Sequence, residues 1–139
     1  MNLSPHFTLA EMTATSTGLD NTAPQNIVDA LTNTASQMET VRDLLGGLPI
    51  IVNSGYRSPA VNAKVGGVPS SQHLKGQAVD FVCPKFGTPE QIARRIIASD
   101  IEFDQIIMEG TWVHISFVKG GPNRRQSLKS TPGGYAVFS

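Results

Sequence analysis

The spacing of apolar residues predicts two main helices. Across residues 24–45 apolar side chains recur at every third or fourth position, and a Gly-Gly pair follows the last of them. Pro24 fits the first helical position. The apolar stripe consists of Ile27, Leu31, Met38, Val41 and Leu45. Residues 88–99 form the second predicted helix, because Thr88 and Gln91 have the spacing of a capping box around Pro89.

Short runs rich in β-branched and aromatic residues predict strands. The predicted strands are residues 49–53, 78–83, 103–109, 112–118 and 135–138. Gly110 and Thr111 separate two of these runs, and a glycine followed by a small polar residue indicates a two-residue hairpin turn of type II′. The remainder of the tail after Lys119 has the composition of a loop.

Two polar stretches predict irregular backbone. The first 23 residues are Thr-rich and indicate an extended arm over the surface. Residues 54–77 are rich in Gly and Ser and predict a long loop, with a helical turn near residues 59–64. Loops of that length inside a compact domain usually serve function, so a site is expected here.

Composition narrows the class of protein. The 139 residues suit one domain, 1–139, and 40% apolar with 16% charged residues is typical of a globular protein. A net charge of zero does not indicate nucleic-acid binding, and no apolar run approaches the roughly 18 residues of a membrane span. The N-terminus lacks the features of a signal peptide, so synthesis in a cytoplasm is expected. Cys83 is alone and is expected to be a buried thiol.

Three residues form a candidate metal site. His73 and Asp80 stand seven positions apart, and His114 follows in the run WVHISF. Two imidazoles and one carboxylate hold catalytic Zn²⁺ with a fourth position open, and the same set also holds non-haem iron. Each residue also has a purely structural interpretation. His73 would be a hydrogen-bonded loop histidine, Asp80 a solvent-facing strand residue and His114 a core histidine. His6 lies in the N-terminal arm and is expected to be uninvolved.

The predicted hairpin supplies a candidate general base. In a two-residue turn Glu109 pairs with Trp112, and side chains alternate along a strand, so both share a face with His114. Glu109 is therefore the predicted general base and acid, placed near a metal ligand. A slip of one residue in register would put Glu109 on the other face, in which case Asp104 and Glu102 are the fallbacks.

Several polar residues are candidates for substrate binding. Arg57 follows the strand at residues 49–53, and its guanidinium suits a substrate carboxylate. Ser71 and Gln72 precede His73 and have groups that donate hydrogen bonds to a substrate or a ligand. Trp112 is expected to form a pocket wall or part of the core.

These motifs together resemble the M15 zinc peptidases, which include D-alanyl-D-alanine carboxypeptidases and phage endolysin peptidases. The resemblance rests on SGYRSPAVNAKVGG, SSQHLKGQAVDF and WVHISF, with HFTLAEM near the N-terminus. It implies that His73, Asp80 and His114 bind Zn²⁺ and that Arg57 stabilises a substrate carbonyl or carboxylate. Many members place the catalytic acid three residues before the last histidine, where this chain has Thr111.

The resemblance also implies a fold and a setting. The implied fold is a small α+β domain of the hedgehog and D-Ala-D-Ala-peptidase type, with a central antiparallel sheet and two main helices packed on it. The implied substrate is a peptidoglycan stem peptide, cut by a phage or prophage enzyme that reaches the wall or periplasm through a holin or as a tail-associated virion component. The alternative is a metal-stabilised, non-catalytic structural or wall-binding module of a phage particle.

Overall fold

A six-stranded mixed sheet organises the α+β fold in the computed structural model, which describes residues 1–139. The helices are α1 (Leu9–Met12), α2 (Gln25–Leu44), α3 (Pro59–Lys64) and α4 (Pro89–Ile97), with a 3₁₀ turn at Gln72–Lys75. The strands are β1 (Asn2–Ser4), β2 (Phe7–Thr8), β3 (Ile51–Ser54), β4 (Ala78–Val82), β5 (Gln105–Met108), β6 (Val113–Ser116), β7 (Gln126–Thr131) and β8 (Gly134–Val137). None of the helices is both long and apolar enough to cross a membrane.

The strand order of the large sheet is β3-β4-β6-β5-β7-β8. Neighbours pair antiparallel except β5 and β7, which are parallel. The central antiparallel sheet that the resemblance implies is therefore wrong at this pair. β7, with the sequence QSLKST, was not predicted as a strand, because it has one large apolar residue and no apolar alternation.

The two faces of the large sheet differ in polarity. Val79 and Phe81 of β4 and Ile115 of β6 belong to one hydrophobic cluster that also contains residues of α2 and α4. Side chains alternate along a strand, so Asp80 and His114, which lie between these core residues, point to the opposite face. α2 and α4 therefore cover the apolar face and leave the polar face open for a site.

Both main helices form close to their predicted bounds. The capping box of α4 is confirmed: Thr88 Oγ1 accepts a hydrogen bond from the Gln91 amide at 3.2 Å, and Gln91 Oε1 accepts one from the Thr88 amide at 2.8 Å. α3 confirms the helical turn at 59–64. Pro24 differs from its prediction, since its ψ of 163° makes it the N-cap rather than the first helical residue.

The N-terminal segment differs from the extended arm expected for residues 1–23. β1 and β2 pair there, and α1 follows with a capping box between Thr8 and Glu11. Phe7 and Met12 are completely buried in the hydrophobic cluster. The polar composition concealed these two anchors, because single apolar residues among many Thr residues give no periodic pattern.

Replacing Met12 tests whether this segment is part of the core. We expect Met12→Ala to lower the free energy of unfolding by about 2–5 kcal/mol, the usual cost of a cavity left by a fully buried side chain. Leu19→Ala is the control in the same segment: Leu19 is 42% exposed, and its loss should cost less than about 0.5 kcal/mol. Urea unfolding measures both values, and equal small losses would show that the segment is not anchored.

Candidate metal centre

The fold brings His73, Asp80 and His114 together. Asp80 on β4 pairs directly with His114 on β6, and the 3₁₀ turn carries His73 over the same face. All three residues are buried, and their ligand atoms lie within 4.8 Å of one another. The structure thus brings together the three residues that the sequence selected as candidates, and it does so through a 3₁₀ turn that was not predicted.

The donor atoms converge on one point. Asp80 Oδ1 lies 2.9 Å from His114 Nδ1 and 3.2 Å from His73 Nε2. The two imidazole rings meet edge to face, with 5.1 Å between their centroids. Two imidazole nitrogens and a carboxylate oxygen in such an arrangement fit a divalent metal with a position left for water.

A backbone carbonyl sets the tautomer of His73. Its Nδ1 lies 2.6 Å from the Gly55 carbonyl oxygen, which only accepts hydrogen bonds, so Nδ1 carries the proton. Nε2 is then the nitrogen that faces Asp80 Oδ1 and the metal position, and it is the one available to an ion. Gly55 has no room for a side chain, since a Cβ there would lie 2.4 Å from the Met12 carbonyl oxygen. The N-terminal segment thus supports the metal centre through α1.

The charge of Asp80 is maintained despite its burial. Burial alone would raise the pKa of its carboxyl group, but the hydrogen bonds from His114 and His73 hold that pKa well below its ordinary value. Arg57 Nη2 adds a contact of 3.3 Å to Asp80 Oδ2. An ionised carboxylate is the form that binds a metal.

Arg57 is held beside the cluster by three side chains. Besides Asp80, it donates to Ser54 Oγ at 3.2 Å and to Asn62 Oδ1 at 3.3 Å. Asn62 is buried and also donates to the Val68 carbonyl, so it links the guanidinium to the loop after α3. Sequence reasoning missed Asn62, whose role depends on the chain folding back over α3.

The hairpin has the register that its turn predicted. The Glu109 amide donates to the Trp112 carbonyl at 3.0 Å, and Ile107 pairs with His114. Gly110 has a φ of +95°, the sign that a type II′ turn requires. Burial raises the pKa of Glu109, and the nearby charge of His114 opposes that rise. Glu109 thus lies near the metal cluster without being one of the three converging residues.

The fallback acids lie in other surroundings. Asp104 accepts hydrogen bonds from Arg124 and Gln72. Glu102 lines a separate cavity between α2 and the loop after β6. His6 binds Glu39 at 2.7 Å, away from the three ligands, as expected of an uninvolved histidine.

A cavity of about 490 Å³ opens over the cluster. Ser71, Gln72 and Trp112 line it together with Arg57, Glu109 and the three candidate ligands. Ser71 also accepts a hydrogen bond from the His73 amide and so caps the 3₁₀ turn. The predicted site residues therefore share one cavity.

The far wall of this cavity comes from residues that sequence reasoning did not select. They are Gln105, Ile107, Arg124, Leu128 and Tyr135. Three of these five lie after Lys119, in the tail that was predicted to be mostly loop. No local motif marked them, because the parallel pairing of β7 with β5 is what brings them to the cavity.

Comparison with known proteins agrees with this geometry. A family model described as Peptidase M15 matches residues 5–116. A zinc D-Ala-D-Ala carboxypeptidase from Streptomyces albus G is 40% identical over 45 residues. That alignment covers 32% of this chain and 18% of the relative, so the chain spans less than a fifth of the length of the protein it matches.

Displacing the Gly55 carbonyl should weaken metal binding. We expect Gly55→Ala to lower affinity for Zn²⁺ by about 10- to 100-fold, because the added Cβ meets the Met12 backbone and moves the group that orients His73. Competition with a chromophoric chelator measures the affinity, and circular dichroism checks the fold. Gly133→Ala is the control, since nothing lies within 4 Å of its Cβ position. Equal affinities in the two variants would contradict the role of the carbonyl.

Proposed function

The chain belongs to the peptidase M15 family, and from this membership we propose that it is a zinc-dependent peptidase acting on peptidoglycan stem peptides. One observation carries the proposal: two imidazoles and a carboxylate converge in a cavity that also contains a half-buried glutamate and an arginine. The zinc D-Ala-D-Ala carboxypeptidase of Streptomyces albus G supports both the metal and the class of substrate.

In this proposal His73, Asp80 and His114 hold Zn²⁺. The ion, when bound, supplies Lewis acidity, which makes water easier to deprotonate and a carbonyl easier to attack. The protein contributes the orientation of the ligands. Gly55 fixes His73, and the β4–β6 pairing fixes Asp80 against His114.

We assign Glu109 as the general base and acid. Its carboxylate accepts the proton of the attacking water and returns a proton to the leaving amine. Its raised pKa suits both halves of this task, because a carboxylate with a raised pKa is a stronger base and holds the proton for longer before the leaving amine takes it. Asp104 is less suitable, because Arg124 and Gln72 already occupy its oxygens.

We assign Arg57, Ser71, Gln72 and Trp112 to the substrate. Arg57 is charged, partly exposed to the cavity and held by Ser54 and Asn62, so its remaining N–H groups can meet a carbonyl or carboxylate oxygen. Trp112 lines the cavity, so its ring can form a wall against the bound peptide.

Two further parts of the proposal concern the biological setting of the enzyme and the peptide bond that it cuts. We propose a wall-degrading enzyme of a phage or prophage, either released at lysis or carried with tail proteins in the virion, on the strength of the sequence resemblance to endolysin peptidases. Both carboxypeptidase action at the end of a stem peptide and endopeptidase action within it use this metal centre. Recovery of the chain in stoichiometric amount from purified particles would favour the virion setting.

Mass spectrometry of peptidoglycan fragments tests the function directly. We expect the zinc-loaded protein to cut an amide bond, and a chelator to prevent the cut. We expect Glu109→Gln to lower kcat by at least about 100-fold while the zinc content stays stoichiometric, because the variant loses the base but none of the ligands. The fragment masses identify the bond.

Glu102→Gln is the matched control for this experiment. Glu102 lines a different cavity, so its variant should keep the wild-type rate. Full activity of Glu109→Gln would place the base elsewhere. No cut by the wild type, with zinc bound stoichiometrically, would favour the non-catalytic module.

We expect the rate of hydrolysis to fall as the pH decreases through the pKa of Glu109. Only the ionised carboxylate accepts a proton, and burial raises its pKa above the ordinary 4.5. As pH decreases through this raised pKa the ionised fraction is lost, so the acidic limb of kcat/KM should lie above pH 4.5. Zinc content is measured at each pH, since protonation of the histidine ligands also releases metal. A limb at or below pH 4.5 with zinc fully bound would contradict the assignment.

A further inference from the structure

A second arginine lines the cavity from the side opposite Arg57. Arg57 follows β3, whereas Arg124 precedes β7, and the metal ligands on β4 and β6 lie between these strands in the sheet. Arg124 also lies beyond residues 5–116, the range that the family model matches. The feature therefore belongs to the part of this chain outside that match.

A buried carboxylate orients Arg124. Asp104 is 3% exposed, and its Oδ1 accepts from Arg124 Nε at 3.0 Å while its Oδ2 accepts from Nη2 at 2.7 Å. The Arg124 amide adds a third bond to Oδ1 at 3.0 Å. The Arg124 side chain is the largest cause that holds the pKa of Asp104 below its ordinary value, so the pair stays ionised. The guanidinium plane is thus fixed before any substrate arrives.

The same carboxylate connects Arg124 to the metal centre. Gln72 Nε2 donates to Asp104 Oδ2 at 3.0 Å, and Gln72 immediately precedes His73 on the 3₁₀ turn. Arg124, Asp104 and Gln72 therefore form a continuous hydrogen-bonded path along the cavity. These hydrogen bonds set the position of Arg124 relative to the metal ligands.

Arg124 retains donors for a ligand. A guanidinium has five N–H groups, and Asp104 uses two of them, which leaves three. The Arg124 side chain is 54% exposed while that of Asp104 is 4% exposed, so the unused donors face the open cavity. A fixed, planar, charged donor set of this kind matches a carboxylate.

Arg125 shows what a purely structural arginine looks like in this segment. It donates to the carbonyls of Ile101 and Ser99 at 3.0 Å and 2.6 Å, and its guanidinium lies over the Phe103 ring. It is absent from the cavity lining. Arg125 thus holds the segment against the loop between α4 and β5, and Arg124 is available for another role.

We propose that Arg124 binds a carboxylate of the peptide substrate, separate from the group that Arg57 contacts, and that it determines specificity for peptides carrying that carboxylate. This assignment rests on the proposed function, because it places a peptide across the metal centre. The peptide then extends from Arg57 past the three ligands to Arg124.

Binding of matched peptides tests the assignment. The probe is a stem pentapeptide, L-Ala-γ-D-Glu-L-Lys-D-Ala-D-Ala, which has free carboxylates on D-Glu and at its C-terminus, and two further versions each amidated at one of them. Calorimetry measures affinity on zinc-loaded Glu109→Gln protein, so that the peptide is not consumed. We expect Arg124→Gln to weaken binding of the free acid by about tenfold. Binding of the version that is amidated at the carboxylate that Arg124 contacts should stay unchanged, because that version has already lost the contact. Arg124→Lys should give an intermediate loss, because it keeps the charge and lacks the planar fork.

Lys119→Gln is the control, since it removes a positive charge from an exposed residue of the same loop that is absent from the cavity lining, and it should affect all three peptides equally, within about twofold. The assignment is overturned if Arg124→Gln weakens all three peptides by the same factor, if it weakens none, or if none binds. If the peptides bind with the expected dependence on Arg124 but the wild-type protein hydrolyses none of them, the peptidase function is contradicted and the carboxylate site is supported.

Discussion

The pairing of Asp80 with His114 across β4 and β6 is the constraint on which the rest of this structure depends. It places an ionised carboxylate in a buried position, where a charge persists only with close partners. Two imidazoles and Arg57 provide them. Removing one partner of a buried charge commonly lowers the free energy of unfolding by about 3–5 kcal/mol, so these partners are needed even before a metal binds. The sheet register that brings them together also determines where the cavity opens.

Side chains alternate between the two faces of the large sheet, and this alternation separates the core residues from those of the candidate site. Val79, Phe81 and Ile115 bury their side chains against the helices, while Asp80 and His114, interleaved with them, meet above the other face. A shift of one residue in the β4–β6 pairing would exchange these roles and place two polar groups in the core. The apolar residues therefore fix the position of the site as firmly as its own hydrogen bonds do.

Sequence patterns predicted the parts of the site that depend on local geometry. The capping box at Thr88 and the two-residue turn at Gly110 each specify their structure within four residues, and the turn then placed Glu109 on the face of His114. The cavity wall at Arg124 depends on a parallel pairing between distant segments, which leaves no periodic signal in a polar strand. The burial of Met12 likewise depends on its contact with the backbone at Gly55, far along the chain.

The position of β8 at the edge of the sheet has a consequence for motion. Tyr135 and Val137 on β8 are 58% and 80% exposed, whereas all four residues of β6 are buried. Opening a region costs least where few apolar contacts hold it, so the edge hairpin is expected to exchange its amide hydrogens faster than the strands that carry the metal ligands. The cavity thus has one rigid side, where bonds would be broken, and one pliable side, where peptides of different shape can be accommodated.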